Sequence, residues 1–286
     1  MKKIYYSLFV CLLAIFSTSC KKDKKAQIPS YLSIDKIQVK DSAGNLISSG
    51  DLDAWVYIND QFKGAFELPV RIPVLEKGPR RVDIRTGVAE NGIYDLKVIY
   101  PFYKTYSEVV DFELEQIHKI SPVVTYAENA KINTAWAGAD FEGGINLNRS
   151  FKSDTILYQE ANNSGISTLG DYVGSYYLTD ENYIFEAYTD PFSDIPRSNP
   201  DIWMEMDYKS DELVSVGVYR GDDFSDIEVI VHFRPQSSWK KVYVKLAAGI
   251  LSKPNASQYR LFIHTQKMSG LPVSKTSIDN VKLLHY

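Results

Sequence analysis

Hydrophobic residues recur mostly at every second position along this chain, in short runs rich in Val, Ile, Tyr and Phe. Clusters of Gly, Pro, Asn and Asp separate these runs, and the spacing of an amphipathic helix is scarce. Short alternating runs with turn residues between them are typical of antiparallel sandwiches, so the predicted fold class is all-β. The predicted strands cover residues 32–39, 54–58, 70–75, 80–86, 95–100, 105–114, 183–188, 201–208, 214–219, 228–233, 241–246, 259–265 and 277–283.

The chain divides near residues 126–134, where the alternation lapses into small and polar residues. We therefore predict two β-sandwich domains, an Ig-like sandwich over residues 31–126 and a second sandwich over residues 130–286. Pro73 interrupts the run 70–75 and has no backbone N–H to donate, which predicts an edge strand or a bulge at that point.

The first 20 residues have the pattern of a secretory leader. Lys2 and Lys3 precede an apolar run over residues 4–16, and small residues follow up to Cys20. The run is shorter than the roughly 20 apolar residues that a membrane span needs. A Cys at the first mature position resembles a bacterial lipoprotein signal of the Bacteroidetes type, although Ser17 stands where that signal usually has Leu.

This resemblance implies that Cys20 carries lipid and that the protein is anchored to the outer membrane, on the cell surface or the periplasmic face. The alternative is an ordinary leader that leaves Cys20 as a free thiol. Residues 21–30 would form a tether, and four lysines in this segment favour a position close to the membrane surface. A merely solvated linker is compatible with the same residues.

Charge and cysteine content exclude some functions. The chain has 32 Lys and Arg against 36 Asp and Glu. A nucleic-acid partner would favour a basic surface, so this balance argues against one. The two cysteines are Cys11, inside the leader, and Cys20, so the mature body has no pair to form a disulfide. Sheet packing must therefore stabilise the fold.

Two segments resemble known β-sandwich families. The segment over residues 53–69 is similar to PEGA-type surface modules, which are small sandwiches with a comparable hairpin. The second half resembles the galactose-binding-like jelly rolls that include many carbohydrate-binding modules. The residues that carry this resemblance are Phe141-Glu142, the run Gly174–Leu178, Trp239 and the run Ile278–Val281.

The jelly-roll resemblance implies a glycan ligand and a structural calcium where the first and last strands meet. Glu142 and Asp279 occupy the matching positions, and carboxylates suit this hard cation. The alternative is that Glu142 is a solvated strand end and that Asp279 accepts backbone hydrogen bonds in a turn.

Strand alternation sorts the candidate glycan ligands. In the run 201–208, Met204 and its alternate neighbours are assigned to the core, which turns Trp203, Glu205 and Asp207 outward. We expect Trp203 to stack on a sugar ring while carboxylates hold its hydroxyls. In the run 228–233, Val229, Val231 and Phe233 are assigned to the core, and His232 and Arg234 face outward. Arg260 and His264 share a face of a later strand. If these strands are neighbours, Trp203, Glu205, Asp207, His232 and Arg234 line one concave sheet. A face that is simply solvated is the alternative.

We predict a non-catalytic envelope lipoprotein that binds a glycan through the second sandwich. The alternative is a structural or adhesion lipoprotein that binds another envelope protein. No nucleophile elbow, phosphate-binding loop or metal-motif histidine spacing is present in the sequence. An enzyme is the third hypothesis, since Glu205 and Asp207 would lie about 7 Å apart on one face and resemble a glycosidase pair.

Overall fold

The chain folds into two β-sandwiches, which confirms the predicted fold class. The computed structural model describes residues 28–133 and 140–286. The strands of the first sandwich are β1 (Ser30–Ile34), β2 (Gln38–Lys40), β3 (Asp53–Ile58), β4 (Gln61–Glu67), β5 (Val70–Val74), β6 (Gly78–Ala89), β7 (Lys97–Ile99), β8 (Tyr106–Phe112), β9 (Ile117–Ile120) and β10 (Val123–Thr125).

The first sandwich packs a sheet of order β4-β3-β6-β7, with β8 also paired to β6, against the sheet β5-β1-β9 and the pair β10-β2. In β3, Ala54, Val56 and Ile58 are buried in the first core, because alternate side chains point to opposite faces. Strand β5 lies at a sheet edge and places Pro73 opposite Tyr31. The edge position predicted from Pro73 is therefore confirmed.

The second sandwich is also built from two sheets. Its strands are β11 (Lys131–Asn133), β12 (Asn148–Arg149), β13 (Tyr158–Ala161), β14 (Tyr172–Leu178), β15 (Ile184–Tyr188), β16 (Ile202–Ser210), β17 (Val214–Arg220), β18 (Ile227–Phe233), β19 (Gln236–Lys245), β20 (Tyr259–Gln266) and β21 (Ser274–His285). We call the sheet β13-β14-β21-β16-β19 the proximal sheet; β11 also pairs with its β21. The sheet β12-β15-β20-β17-β18 is the distal sheet.

The second core lies between these two sheets. Met204 and Met206 of the proximal sheet pack there with Val216, Val218 and Ile263 of the distal sheet. The assignment of the Met-bearing face of β16 to the core is therefore confirmed. A short helix, α1 (Ala247–Leu251), follows β19. Within residues 28–133 and 140–286, no helix is both long and apolar enough to cross a bilayer.

The first sandwich packs against the outer face of the proximal sheet, and this contact joins the two halves of the molecule. Trp203, Tyr243 and Leu284 belong to the second sandwich by sequence but are buried in the first core. The rings of Tyr100 and Trp203 meet edge to face, with centroids 5.4 Å apart. A parallel β-bridge between Glu90 and Tyr243 continues the contact through the backbone.

Trp203→Ala tests this arrangement. Removing an indole that is 1% exposed leaves a cavity between the sandwiches. We expect the free energy of unfolding to fall by about 3–5 kcal/mol, measured by urea denaturation. The control is Tyr158→Ala at an exposed position, for which we expect a change within about 0.5 kcal/mol. Equal effects of the two substitutions would contradict the buried position of Trp203.

Candidate functional site

The structure overturns the expectation that Trp203, Glu205 and Asp207 line an open face. Alternation correctly turned them away from the second core, but Trp203 is 1% exposed, Glu205 is 0% exposed and Asp207 is 2% exposed. The reason is that the first sandwich covers this part of the proximal sheet. The indole therefore has no open ring face on which a sugar could stack.

Glu205 and Asp207 instead form a buried polar network between the sandwiches. The hydroxyls of Tyr100 and Tyr126 each donate to a different carboxylate oxygen of Glu205, both at 2.8 Å. Lys241 Nζ lies 3.0 Å from Glu205 Oε2. Burial alone would raise the pKa of Glu205, but the charges of Lys241 and Lys282 and the hydroxyl of Tyr126 hold it below its ordinary value.

Asp207 has partners on both sides of the same contact. Ser48 of the first sandwich donates to Asp207 Oδ1 at 2.6 Å, and Asn280 Nδ2 donates to Oδ2 at 3.0 Å. Lys241 Nζ lies 3.8 Å from the same Oδ2. Glu205 and Asp207 are therefore held in fixed pairs and are closed to a substrate.

The prediction that five residues share one concave sheet is also wrong. His232 and Arg234 come from β18 and its end, in the distal sheet, whereas Trp203 comes from β16 in the proximal sheet. Outward side chains of two packed sheets lie on opposite sides of the sandwich. His232 is exposed on the outer distal face, and Arg234 is exposed just beyond β18.

The two residues proposed for calcium have separate partners. Glu142 Oε1 accepts hydrogen bonds from the backbone N–H groups of Asp171, at 2.8 Å, and Tyr172, at 3.0 Å. Asp279 is buried and accepts from the N–H of Asn280 at 2.7 Å. Within the two described ranges, no three His, Cys, Asp or Glu side chains are grouped as a metal site. Cys20 lies outside the described residues.

Asp279 is a buried carboxyl group whose hydrogen bonds, among the residues that the structure describes, come from Asn280 alone. Burial is the largest cause that raises its pKa, to about 8, and the charges of Asp207 and Asp140 act in the same direction. The hydrogen bond from Asn280 and the charge of Lys241 oppose the shift but do not cancel it. The folded protein therefore holds this carboxyl group protonated at neutral pH.

Stability should depend on the titration of Asp279. Its pKa is raised from 3.8 in the unfolded chain to about 8 in the folded state, so the folded state binds the proton more tightly. Its contribution to the free energy of unfolding is therefore full at low pH and is lost between about pH 4 and about pH 8. Asp279→Asn should remove this slope and be more stable than the wild type near pH 8, by urea denaturation in chelator.

The exposed Asp194 offers the matched control, since its side chain is 99% exposed. Asp194→Asn should keep the slope of the wild type. An Asp279→Asn variant with the wild-type slope would show that this carboxyl group is ionised at neutral pH.

The outer face of the distal sheet carries a row of polar side chains that we call the distal row. Strand register aligns Glu186 of β15 with His264 of β20, His264 with Ser215 of β17, and Ser215 with His232 of β18. Three strand spacings give the row a length of about 14 Å. His264 Nδ1 lies 3.2 Å from Glu186 Oε2, and Ser215 Oγ lies 2.7 Å from His232 Nδ1. The row is therefore ordered by contacts between its own members.

Glu186 anchors one end of the distal row. It is 2% exposed, and its Oε1 accepts hydrogen bonds from Ser150 and Tyr219, with Lys152 Nζ 3.9 Å away. Burial alone would raise its pKa, but His264, Ser150 and Tyr219 donate to it and lower the value to about 2. Burial, reinforced by the same contact with Glu186, raises the pKa of Tyr219. Glu186 is therefore a permanent anion that orients the residues around it.

Beside the row lies an aromatic cluster with exposed ring faces. Phe224 contacts Tyr188 and Tyr219, with centroids 4.8 and 5.0 Å apart. Phe151 is 79% exposed and lies 6.4 Å from Phe224. The guanidinium of Arg260 is 5.0 Å from the centre of the Phe224 ring. This cluster supplies both flat apolar surface and a fixed cation.

A β-bulge completes the other side of the site. The pairing of β17 with β18 shifts by one residue between Val216, which lies opposite Val231, and Gly217, which lies opposite Val229. Val229 was expected in the core, but the extra residue turns it outward, where it and Ile227 line the site with half-buried His264. At Gly217 an added Cβ would lie 2.5 Å from the Phe262 ring, so the ring packs directly on the backbone.

The distal row and the bulge line a cavity of about 410 Å³, the distal groove. The aromatic cluster lies outside this lining and meets it at Lys152, whose Nζ is 5.7 Å from the centre of the Phe151 ring and 5.3 Å from that of Tyr219. Polar lining comes from Lys152, Glu186, Ser215, His232, His264 and Gln266, and apolar lining comes from Leu213, Ile227, Val229, Phe262 and Met268. The volume is within the range of small-molecule sites. Sequence reasoning found His232, His264 and Arg260 by alternation. It missed Glu186, whose strand position matches any solvated acid, and Lys152 and Phe224, which come from turns.

No family model and no curated protein matches this chain. One similar solved structure is the family 11 carbohydrate-binding module from Clostridium thermocellum in complex with a β-1,3-1,4-mixed-linked tetrasaccharide. It is 16% identical, with 51% of this chain and 92% of that chain covered and a TM-score of 0.35.

Two further structures show the same level of similarity. The family 30 carbohydrate-binding module of a cellulosomal cellulase from Clostridium thermocellum is 8% identical, with 49% of this chain and 91% of that chain covered and a TM-score of 0.36. A structure with a xylogluco-oligosaccharide is 10% identical, with 91% of this chain and 74% of that chain covered and a TM-score of 0.33. These values carry no argument about the ligand of this chain.

Proposed function

We propose that the second sandwich binds a saccharide chain in the distal groove. The observation that carries this proposal is the exposed ring of Phe151 with the half-buried ring of Phe224, beside the ordered distal row. The C–H face of a sugar ring packs well on a flat aromatic ring, and planar polar groups fit its hydroxyls. His232 and Gln266 supply planar groups to the groove, and Lys152 adds an ammonium donor.

The carboxyl groups of the distal groove and of the buried Glu205–Asp207 pair both fit a protein that binds saccharide without cleaving it. Glycoside hydrolysis generally needs two carboxyl groups, one of them protonated to act as the acid. Glu186, with a pKa of about 2, stays ionised at neutral pH. Glu205 and Asp207, the pair that resembles a glycosidase, are sealed between the sandwiches. We therefore assign the groove to recognition and not to bond cleavage.

The proposed lipid at Cys20 would place the groove on the far side of the molecule. Strand β1 begins at Ser30, so about ten residues separate Cys20 from the first sandwich. That sandwich covers the proximal sheet, and the distal groove opens on the opposite face. An N-terminal anchor in the outer membrane would thus leave the groove free to meet a long polymer.

Phe224→Ala tests the groove. We expect it to weaken the binding of a mixed-linked β-glucan or xyloglucan oligosaccharide by about three- to tenfold, since one ring contributes about 0.5–1.5 kcal/mol beyond its buried area. Isothermal titration on the full chain in detergent measures this change. The control is Val109→Ala, on an exposed position of the first sandwich. Identical affinity of both variants, or no heat with any of a broad panel of glycans, would exclude this function.

Cys20→Ser tests the anchor. Expressed in a Gram-negative host, the wild type should incorporate a labelled fatty acid and enter the detergent phase on Triton X-114 partition. The variant should lose the label and stay in the aqueous phase, because the acceptor thiol is missing. The second cysteine, Cys11, provides the control, since Cys11→Ser removes a thiol inside the leader. Labelling that persists in Cys20→Ser would place any lipid elsewhere.

We also propose a structural calcium beside Asp279. The proposal is supported by the buried carboxyl groups of Asp279 and Asp207 with the exposed Asp140 nearby, since burial and these two negative charges raise the pKa of Asp279. A cation would favour the ionised carboxylate there. Millimolar calcium should then restore the stability that the wild type loses near pH 8, and it should leave Asp279→Asn unchanged. The same effect on both proteins would argue against this site.

A partner protein is the second candidate, and one surface favours it. On the first sandwich, the exposed Phe62 ring lies 5.6 Å from Trp55 and 5.2 Å from Tyr57. The guanidinium of Arg85 stacks 4.6 Å from the Tyr57 ring. Aromatic and Arg residues dominate the energetics of protein interfaces. A partner that uses this patch would be lost in Phe62→Ala, in which saccharide binding would stay intact.

A further inference from the structure

Part of the outer face of the proximal sheet stays open beyond the first sandwich, and its side chains form a second groove. Strand register aligns Tyr158 of β13 with Ser175 of β14, Ser175 with Ser277 of β21, and Ser277 with Lys209 of β16. Strand β19 borders β16 and brings Trp239 to the next position. The row crosses five strands, so it is about 19 Å long.

The groove has small residues in its floor and an indole in its wall. Ala161 and Ser277 line it, and the half-buried Trp239 stands beside them. Ser277 Oγ lies 2.8 Å from Oγ of Ser175, which is itself fully buried. The space is about 490 Å³. Tyr158 and Tyr177, with ring centroids 6.2 Å apart, lie beyond this lining on β13 and β14.

The positive and negative side chains of this groove are equal in number. Lys275 Nζ lies 2.6 Å from Glu160 Oε2, and the hydroxyl of Tyr177 donates to the other oxygen of Glu160. Asp211 accepts the backbone N–H of Lys275 at 2.9 Å. Lys209 offsets the charge of Asp211 and makes no ion pair within residues 28–133 and 140–286. Two cations against two anions favour a neutral ligand.

Trp239 also borders a smaller cavity of about 140 Å³ on its other side. Ser48 and Asp51 of the first sandwich line that cavity together with Ile166 and Leu169. The indole therefore separates two spaces, and the second of them ends at the first sandwich. A chain-like ligand that crosses Trp239 would contact both sandwiches.

We propose that this Trp239 groove is a second saccharide-binding site, specific for a neutral chain. The indole provides the stacking surface, and Lys209, Asp211 and Glu160 hold the hydroxyls. The site lies on the face of the second sandwich opposite to the distal groove, so one molecule holds two polymer segments at once. It depends on different residues from the distal groove, and either site can stand without the other.

The experiment uses the full chain in detergent and isothermal titration with neutral tetrasaccharides from mixed-linked β-glucan and xyloglucan. We expect two sites in the wild type. Trp239→Ala should lose at least about tenfold in affinity at its own groove, and Phe224→Ala should weaken the distal groove alone, by about three- to tenfold. Lys209→Ala, which leaves the indole in place, should weaken the Trp239 site by a smaller factor. Val109→Ala should bind as the wild type, and circular dichroism checks that every variant is folded.

Each outcome separates the two grooves. Stoichiometry and affinity that are unchanged in both Trp239→Ala and Lys209→Ala would overturn this site, whatever Phe224→Ala does. Binding that is lost in Trp239→Ala but intact in Phe224→Ala would support the Trp239 groove and overturn the distal one. An oligogalacturonate that binds here more tightly than the neutral tetrasaccharides would overturn the assignment to a neutral chain. A Trp239-dependent protein partner, with no saccharide bound, would also overturn it.

Discussion

The arrangement of the whole molecule depends on one buried network, in which Glu205 is paired with Lys241 and with the hydroxyls of Tyr100 and Tyr126. A buried carboxylate is strongly unfavourable when it lacks partners, and here the partners come from both sandwiches. Neither sandwich can satisfy Glu205 by itself. The polar network therefore determines how the two sandwiches are aligned with each other. The burial of Trp203, Tyr243 and Leu284 in the first core supplies the apolar contact area.

This contact decides which surfaces the second sandwich can offer to a ligand. The first sandwich occupies the part of the proximal sheet around Trp203 and leaves open the part around Lys209 and Ser277. The distal sheet lies on the opposite side of the second sandwich, away from this contact. Both proposed saccharide sites lie on the parts of the second sandwich that the first sandwich does not cover.

Three buried carboxyl groups show how the surrounding residues determine whether a carboxyl group is ionised. Glu186 has three donors and a low pKa, and Glu205 has a cation and two tyrosine hydroxyls. Asp279 has mainly its neighbour Asn280 and two other carboxylates nearby, so its pKa is raised to about 8. The first two act as structural anions that orient their neighbours. The third is held protonated at neutral pH, so a bound cation would change its ionisation most.

The amino-acid sequence by itself determined the all-β class, most of the strands, an edge or bulge at Pro73 and the face of β16 that enters the core. These features follow from local alternation and from the chemistry of single residues. Only the tertiary structure decided that the opposite face of β16 is covered, that β16 and β18 lie in different sheets, and that a bulge turns Val229 outward. Alternation tells which side chains point away from one core. It does not tell whether water or another sandwich lies there, because strand order and domain contacts join residues far apart in the chain, such as Tyr100 and Glu205.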